Sequence, residues 1–478
     1  MKNLASLLIL LYSLIGLAQE NSFFATMSLI DAKELQDELP DEISILAAHG
    51  LEAAVYLTPQ AAHVLHKRVL VHGPGYIFKP NHEEAVRAIQ KVPTLKQRTV
   101  DYTITEDAVV AQVLEVINPL HIENHIIELE NYNTRYHNRA AATQAAIDLK
   151  ERWETMAATY GRTDVSVRLY NHVNTNMTSV ILTIQGSEFP DEFVIVGGHL
   201  DSTASDRDNA PGADDDASGI ATITEATRAL FEIEFVPRRT IEVMAYAAEE
   251  IGLVGSTEIA QEYANNGVDV QAVAQFDMTN FNGSALDVAF ITDFTDPTLT
   301  NYMMGLLDHY NASGDHAITY SSSLCNYGCS DHASWTNAGY SASFPFEASF
   351  GQHNQNIHTS NDTFSISGTA NHATKFAKLC AEFLIETAKS QEVLGVPIEV
   401  VNAVFLNIEN NKLHFDLREA TIDFNSIRLV SVVGKEVLSV PLTAKKGQLS
   451  LESLTQGVYI ATLTSEKGET ISKKLIQK

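Results

Sequence analysis

From about Thr99 to Lys389 the chain moves between two hydrophobic periods. Ala140 to Ala158 repeats Ala, Leu, Ile, Trp and Met at helical spacing, whereas Ser179 to Ile184 and Phe193 to Gly197 are apolar runs of strand length. The same patterning predicts a helix over Ala217 to Phe231, a buried strand over Thr240 to Tyr246, a helix over Glu249 to Tyr263 and a strand over Val270 to Phe276. Alternation of this kind predicts an α/β fold in which a mostly parallel, mixed sheet is sandwiched by helices. In such sheets ligands gather beyond the carboxyl ends of the strands.

The pattern changes on both sides of this central domain, which is expected to span residues 99–390. Residues 19–98 mix helix-like and strand-like stretches without clustered His and carboxylates, and end in a basic, Pro-containing run from Lys91 to Arg98. This segment is expected to be a propeptide, with a plain N-terminal domain as the alternative. Beyond Val396, the β-branched runs Ile427 to Val433 and Gly457 to Leu463 alternate with turn residues and predict a small C-terminal β-sandwich over residues 396–478.

Composition narrows the function classes. The 478 residues carry 60 acidic against 32 basic side chains, a formal net charge of −28. That field repels phosphate backbones and excludes nucleic acid as a favoured partner, while it suits cationic ones such as the free α-amine of a peptide. Lys2 followed by an apolar run from Leu4 to Leu17, with small residues at Gly16 and Ala18, predicts a signal peptide over residues 1–18. The run is shorter than the roughly 20 residues a spanning helix needs, so export is expected rather than a membrane span. In an exported chain Cys325 and Cys329 can close a small disulfide loop, leaving Cys380 as a buried thiol.

The chemistry-bearing residues cluster where predicted strands end. The strand at Phe193 runs into His199 and Asp201, which period-two alternation points the same way. A His there can bind a metal, with the Asp orienting it. Asp214, Asp215 and Asp216 sit between small residues at the start of a predicted helix. One helix cap needs one carboxylate, and three repel each other unless a cation compensates. Glu249 and Glu250 follow a buried strand and diverge, so one can bind metal while the other stays available as a general base. Asp277 and His358 complete the inventory. Each is ordinary alone. Together they suit two adjacent zinc ions sharing one carboxylate, with hydroxide between them as nucleophile, better than magnesium, which seldom recruits histidine.

These blocks, in this order, resemble peptidase family M28, of the secreted bacterial leucyl aminopeptidase type. The stretches that carry the resemblance are 197–203 (GGHLDST), 211–219 (PGADDDASG), 245–250 (AYAAEE), 276–280 (FDMTN), 329–335 (CSDHASW) and 357–359 (IHT). The resemblance covers roughly Tyr102 to Lys389. It implies a fold of the zinc-dependent exopeptidase type and a cofactor of two zinc ions. Asp215 would bridge the metals, His199 and Asp277 would hold one, and Glu250 and His358 the other. Glu249 would be the general base and Asp201 would support His199. The bond after Asp215 would be cis, and the Cys325–Cys329 disulfide would lie beside the substrate pocket.

Met278, Ile291, Tyr327, Phe346, Phe350 and Ile357 match the family's apolar pocket wall for Leu-like first residues. His353 and Phe344 depart from it, standing where a tyrosine and a methionine are usual. The tail around 453–462 resembles the C-terminal sorting domain of Bacteroidetes type IX secretion cargo, which implies the secretion machinery as a partner and a secreted or cell-surface location. A surface-binding β-module is the alternative.

The implied activity is release of N-terminal residues from peptides by a monomer held as a zymogen before cleavage. A carboxypeptidase, a glutaminyl-cyclase-like enzyme and a metal-stabilised binding protein without turnover remain as rivals. Glu249 argues against the last of these, since a binder has no need of it.

Overall fold

The computed structural model describes residues 22–68, 73–90, 100, 102–391, 404–409, 411–418, 420, 422–431, 435–451, 455–465 and 470–477. The expected signal peptide and the basic run from Lys91 to Arg98 lie outside the described residues. By contact the chain divides into two units, Met1–Ser390 and Gln391–Lys478.

The first unit opens with β1 (Phe23–Ser28), α1 (Leu29–Glu38), β2 (Ile43–His49), β3 (Glu52–Leu57), α2 (Pro59–Arg68), β4 (Tyr76–Lys79) and α3 (His82–Gln90). Its antiparallel sheet has the order β2-β3-β1-β4, the split βαβ arrangement of a ferredoxin-like fold. Alternation along β1 and β3 separates the two faces. Ala25, Met27, Val55 and Leu57 meet Leu35 and Leu65 of the first two helices, while Ala54 on the other face meets Ala85 and Ile89 of α3.

The central elements follow as α4 (Asp107–Val116), α5 (Pro119–Glu130), α6 (Ala140–Thr159), β5 (Val165–Tyr170), β6 (Ser179–Ile184), β7 (Phe189–His199), α7 (Ala217–Glu232) and β8 (Arg239–Tyr246). Then come α8 (Val254–Asn266), β9 (Asp269–Gln275), β10 (Val288–Ile291), α9 (Pro297–Tyr310), β11 (Tyr320–Ser323), α10 (His332–Asn337), β12 (Ala342–Phe346) and α11 (Asn371–Ala388).

The eight strands β5 to β12 form one mixed sheet in the order β11-β10-β12-β9-β7-β8-β6-β5. The pairs β7–β8, β7–β9, β9–β12 and β10–β11 are parallel and the other three antiparallel. Successive residues feed opposite cores. Val180, Leu182, Val194, Val196, Val243 and Ala245 pack with Ile220 and Phe376 of α7 and α11, whereas Ile181, Ile195 and Met244 pack with Ile259 and Trp335 of α8 and α10. Both faces are therefore covered, as the continuous apolar strands require.

One predicted element is corrected. The helix expected over Glu249 to Tyr263 is broken: Glu249–Ile251 forms a single 3-10 turn and α8 starts at Val254. The cause is local backbone, because Gly252 (φ 107°) and Leu253 (φ 57°) adopt the left-handed region, which an α-helix cannot pass through.

The second unit comprises β13 (Phe405–Glu409), β14 (Lys412–Asp416), β15 (Phe424–Ser431), β16 (Glu436–Pro441), β17 (Lys446–Ser450), β18 (Gly457–Ser465) and β19 (Thr470–Gln477). Its two antiparallel sheets, β13-β14-β17 and β16-β15-β18-β19, close over Leu413, Phe415, Ile427, Leu429, Ala461 and Leu463 as a small sandwich. Among the described residues no helix is long and apolar enough to cross a membrane.

A candidate metal centre at the carboxyl ends of the parallel strands

Strand direction gathers the site. His199 is the last residue of β7, Glu249 and Glu250 lie just past β8, Asp277 lies just past β9, and Asp215 leads into α7. All of these side chains are buried. His199 Nε2 lies 2.9 Å from Asp215 Oδ1 and 3.5 Å from Asp277 Oδ1. His358 Nε2 lies 2.9 Å from the other oxygen, Asp215 Oδ2, and 3.3 Å from Glu250 Oε2. One carboxylate thus faces two imidazoles, and each imidazole faces one further carboxylate. The peptide bond Asp215–Asp216 is cis.

Donor atoms of His199, Asp215 and Glu250 fall within 4.8 Å of one another, as do those of His199, Asp216 and Asp277. Asp216 is nevertheless occupied by backbone. Its Oδ2 accepts from His199 N at 3.0 Å, and its Oδ1 accepts from Gly219 N at 2.7 Å and Met278 N at 3.2 Å. It therefore caps α7 and ties together the segments bearing His199 and Asp277.

Asp201 acts through two routes. Its backbone carbonyl faces His199 Nδ1 at 3.0 Å, while its carboxylate accepts from Glu249 N at 2.9 Å and Glu250 N at 3.2 Å. The carbonyl and the carboxylate, whose Oδ1 lies 3.6 Å from His199 Nδ1, both face the imidazole, and the carboxylate also holds the glutamate turn. Ser330 donates to Asp277 Oδ2 at 2.6 Å, which fixes that side chain in turn.

The electrostatics are those of a crowded anionic site. Burial raises the Glu250 pKa, and Asp215 adds to the effect. Burial disfavours the charged imidazole of His358, yet Glu250 and Asp215 outweigh it and push its pKa up to about 10. Two imidazoles stand among Asp201, Asp215, Asp216, Glu249, Glu250 and Asp277, so the donors carry more negative charge than the histidines can balance. Divalent cations restore that balance, and imidazole nitrogen with carboxylate oxygen is a donor set suited to zinc.

Beside this cluster, Met278, Ile291, Phe346 and Ile357 form one apolar group with Phe344 and the half-buried Tyr327 and Phe350. The six residues expected to line a pocket are brought together, and the Cys325–Cys329 disulfide belongs to the same group. His353 is buried at its edge, with ring centroids 5.8 Å from Phe346 and 5.6 Å from Phe350. Cys380 is a buried free thiol in the helical core.

The N-terminal strands lie against the same site. Phe78 N donates to the carbonyl of Gly252, next to the glutamate turn, at 3.0 Å. Ile77 packs with Leu253 and Ala333, and a cavity of about 330 Å³ between the two parts is lined by Phe23, His63, Tyr76, Tyr136, Arg207 and Glu250.

Sequence patterning did not single out Arg135, Ser330 or Asp362, all buried here. Asp362 lies four positions beyond His358, and Ser330 lies within the 329–335 stretch. Arg135 carries no local signal, being one of two arginines in the connection between two helices.

Comparison with known proteins agrees with this geometry. Residues 179–384 match the model of peptidase family M28, and residues 404–478 match a secretion system C-terminal sorting domain. Leucine aminopeptidase 1 of Coccidioides posadasii is 34% identical over 293 residues, covering 58% of this chain and 73% of that protein. Leucine aminopeptidase 1 of Ajellomyces capsulatus is 34% identical over 311 residues, covering 62% and 78%. Among solved structures, the LapA aminopeptidase of Legionella pneumophila aligns with a TM-score of 0.68 at 29% identity, covering 78% of this chain and all of that one. LapB of the same organism aligns with a TM-score of 0.68 at 27% identity, covering 77% and 100%.

Proposed function

The chain belongs to peptidase family M28, and we propose that it is an exported zinc aminopeptidase that removes hydrophobic, leucine-like residues from peptide N-termini. The observation that carries this reading is the placement of Asp215, whose two oxygens each stand 2.9 Å from a different imidazole. That geometry supports a pair of zinc ions, one held by His199, Asp215 and Asp277 and the other by Asp215, Glu250 and His358. Such ions, when bound, polarise a carbonyl and acidify water enough for it to ionise near neutral pH.

The remaining steps belong to the chain's own groups. Glu249 lies outside both donor sets, is fully buried, and has its backbone held by Asp201. Its carboxylate takes the proton of the attacking water and returns it to the departing amine nitrogen. The apolar group around Phe346 and Ile357 receives the first side chain, and the chain's net charge of −28 favours the free α-amine over a blocked or acidic end. Export is supported by the sorting-domain match over residues 404–478. The contact of β4 with the glutamate turn supports latency as part of this reading, in which the N-terminal segment would serve as a propeptide.

The test is hydrolysis of leucine anilide by the protein trimmed of its N-terminal segment. Activity should disappear with a chelator, return with zinc and be absent on N-acetyl-leucine anilide. Equal cleavage of the acetylated compound would sink the exopeptidase reading.

A further inference from the structure

A buried guanidinium and a buried carboxyl group grip the loop that presents Asp215. Arg135, fully buried, donates through its guanidinium to the carbonyls of Pro211 at 2.7 Å and Gly212 at 2.8 Å, and also to Leu200 O at 2.8 Å. Asp362, 1% exposed, takes the amides that follow. Its backbone carbonyl accepts from Ala213 N at 3.0 Å, its Oδ1 from Asp214 N at 3.2 Å, and its Oδ2 from Asp215 N at 3.1 Å. The carboxylate is itself steadied by the Asn354 side-chain amide at 3.2 Å, and Asn354 N is in turn held by Glu347 Oε1 at 3.0 Å.

A short stretch of backbone thus has two carbonyls fixed by a guanidinium and two amides fixed by a carboxyl group. Amides bonded to a carboxylate, and carbonyls bonded to a guanidinium, make charge-assisted hydrogen bonds, the stronger kind. Mere closure of the core would not need a buried carboxylate here, since water or a neutral amide can satisfy backbone amides at lower desolvation cost. Asp362 also stands on the loop that carries His358, and so joins the Asp215 loop to the second histidine.

We propose that Asp362 is a positioning residue, set against Arg135, that fixes the distance between the Asp215 carboxylate and His358 and thereby the geometry of the metal pair. The inference rests on the reading of Asp215 as the shared ligand. Outer partners of this kind typically contribute about 10- to 100-fold to metal affinity.

The experiment compares wild type, Asp362→Asn, Asp362→Ala and Asp215→Ala as full chains, with N-terminal trimming carried out identically. Four readouts are needed: zinc retained against a graded chelator, the visible spectrum of the cobalt(II)-loaded protein, kcat and KM on leucine anilide, and the melting temperature. Asp362→Ala should bind zinc at least about tenfold more weakly, shift the cobalt bands and lower kcat with KM little changed. Asp362→Asn keeps the shape and one acceptor, so it should fold and fall between. A lowered melting temperature in either variant with zinc affinity, cobalt spectrum and kcat all at wild-type values would overturn the proposal. Asp215→Ala separates the two levels, because retention of both metals there would refute the shared ligand itself.

Discussion

The backbone of Gly73 stands directly against the side chain of Glu249. A methyl group built on that glycine would lie 3.3 Å from Glu249 Oε1 and 2.8 Å from the Cys329 carbonyl oxygen, and the residue holds φ at +77°. Only glycine fits both the space and the backbone. Gly73, Pro74 and Gly75 are buried, and on the proposed reading this part of the N-terminal segment would occupy room that an incoming peptide needs.

The basic run that ends at Arg98 offers the trimming point of the proposed propeptide, so a precursor with Lys96 and Arg98 replaced should stay untrimmed and latent. Adding Gly73→Val to it should raise activity about 10- to 100-fold, since an overpacked contact costs ~1–3 kcal/mol and that cost weakens closure. The check is the rate on leucine anilide before and after the substitution. An untrimmed Gly73→Val precursor as silent as its parent would remove the N-terminal unit from control of the site.

Glu249→Ala should keep zinc and lose turnover. A proton shuttle outside the donor sets contributes at the transition state, and its removal costs about 10²- to 10⁴-fold in kcat. Elemental analysis beside the kinetics decides it. Loss of metal in parallel with activity would mean that Glu249 and Glu250 have exchanged roles.

Asp215→Ala should behave in the opposite way. With the carboxylate that faces both imidazoles gone, zinc content and melting temperature should fall together, and added chelator should lower the melting temperature no further. Full zinc content in this variant would show that the ligands form independent sets.

Glu382, buried on α11 beside Asn311, supplies a pH signature away from the metal centre. Burial pushes its pKa up to about 8 from the ordinary 4.5, against a smaller lowering effect of Asn311. The folded chain therefore holds a proton that the unfolded chain has released over the window between these values, so stability falls as pH rises through it. Glu382→Gln should stabilise the protein little at pH 4.5 and by up to a few kcal/mol at pH 8. Urea titrations at the two pH values measure the difference. A gain independent of pH would assign the effect to packing instead of charge.

Residues that had to occupy strand ends could be found from pattern alone. An apolar run followed by His199, by Glu249 and Glu250, or by Asp277 marks a place where a buried strand delivers a polar group, and period-two alternation decides its face. The helix break after Glu249 escaped that reasoning because Leu253 gives no local sign of a left-handed backbone, and Gly252 alone is compatible with a helix interior. Arg135 and Asp362 escaped it for another reason. Their partners on the Asp215 loop are backbone carbonyls and amides far away in sequence, 76 positions for Pro211 and 148 for Asp214, and backbone groups leave no trace in side-chain patterning.

The turn from Ala248 to Leu253 has two readers. On one side it presents Glu249 and Glu250 to the candidate metal centre; on the other the Gly252 carbonyl accepts from Phe78 N. If the N-terminal segment is the propeptide proposed above, any heritable change in this turn would be judged twice, once as chemistry in the free enzyme and once as restraint in the precursor. Selection for a quieter or a quicker precursor would then work from the Phe78 side, where substitutions leave the glutamate turn's own residues unchanged. An engineer who wants a protease-triggered peptidase inherits the same asymmetry: the lock can be recut, while the keyhole has to stay as it is.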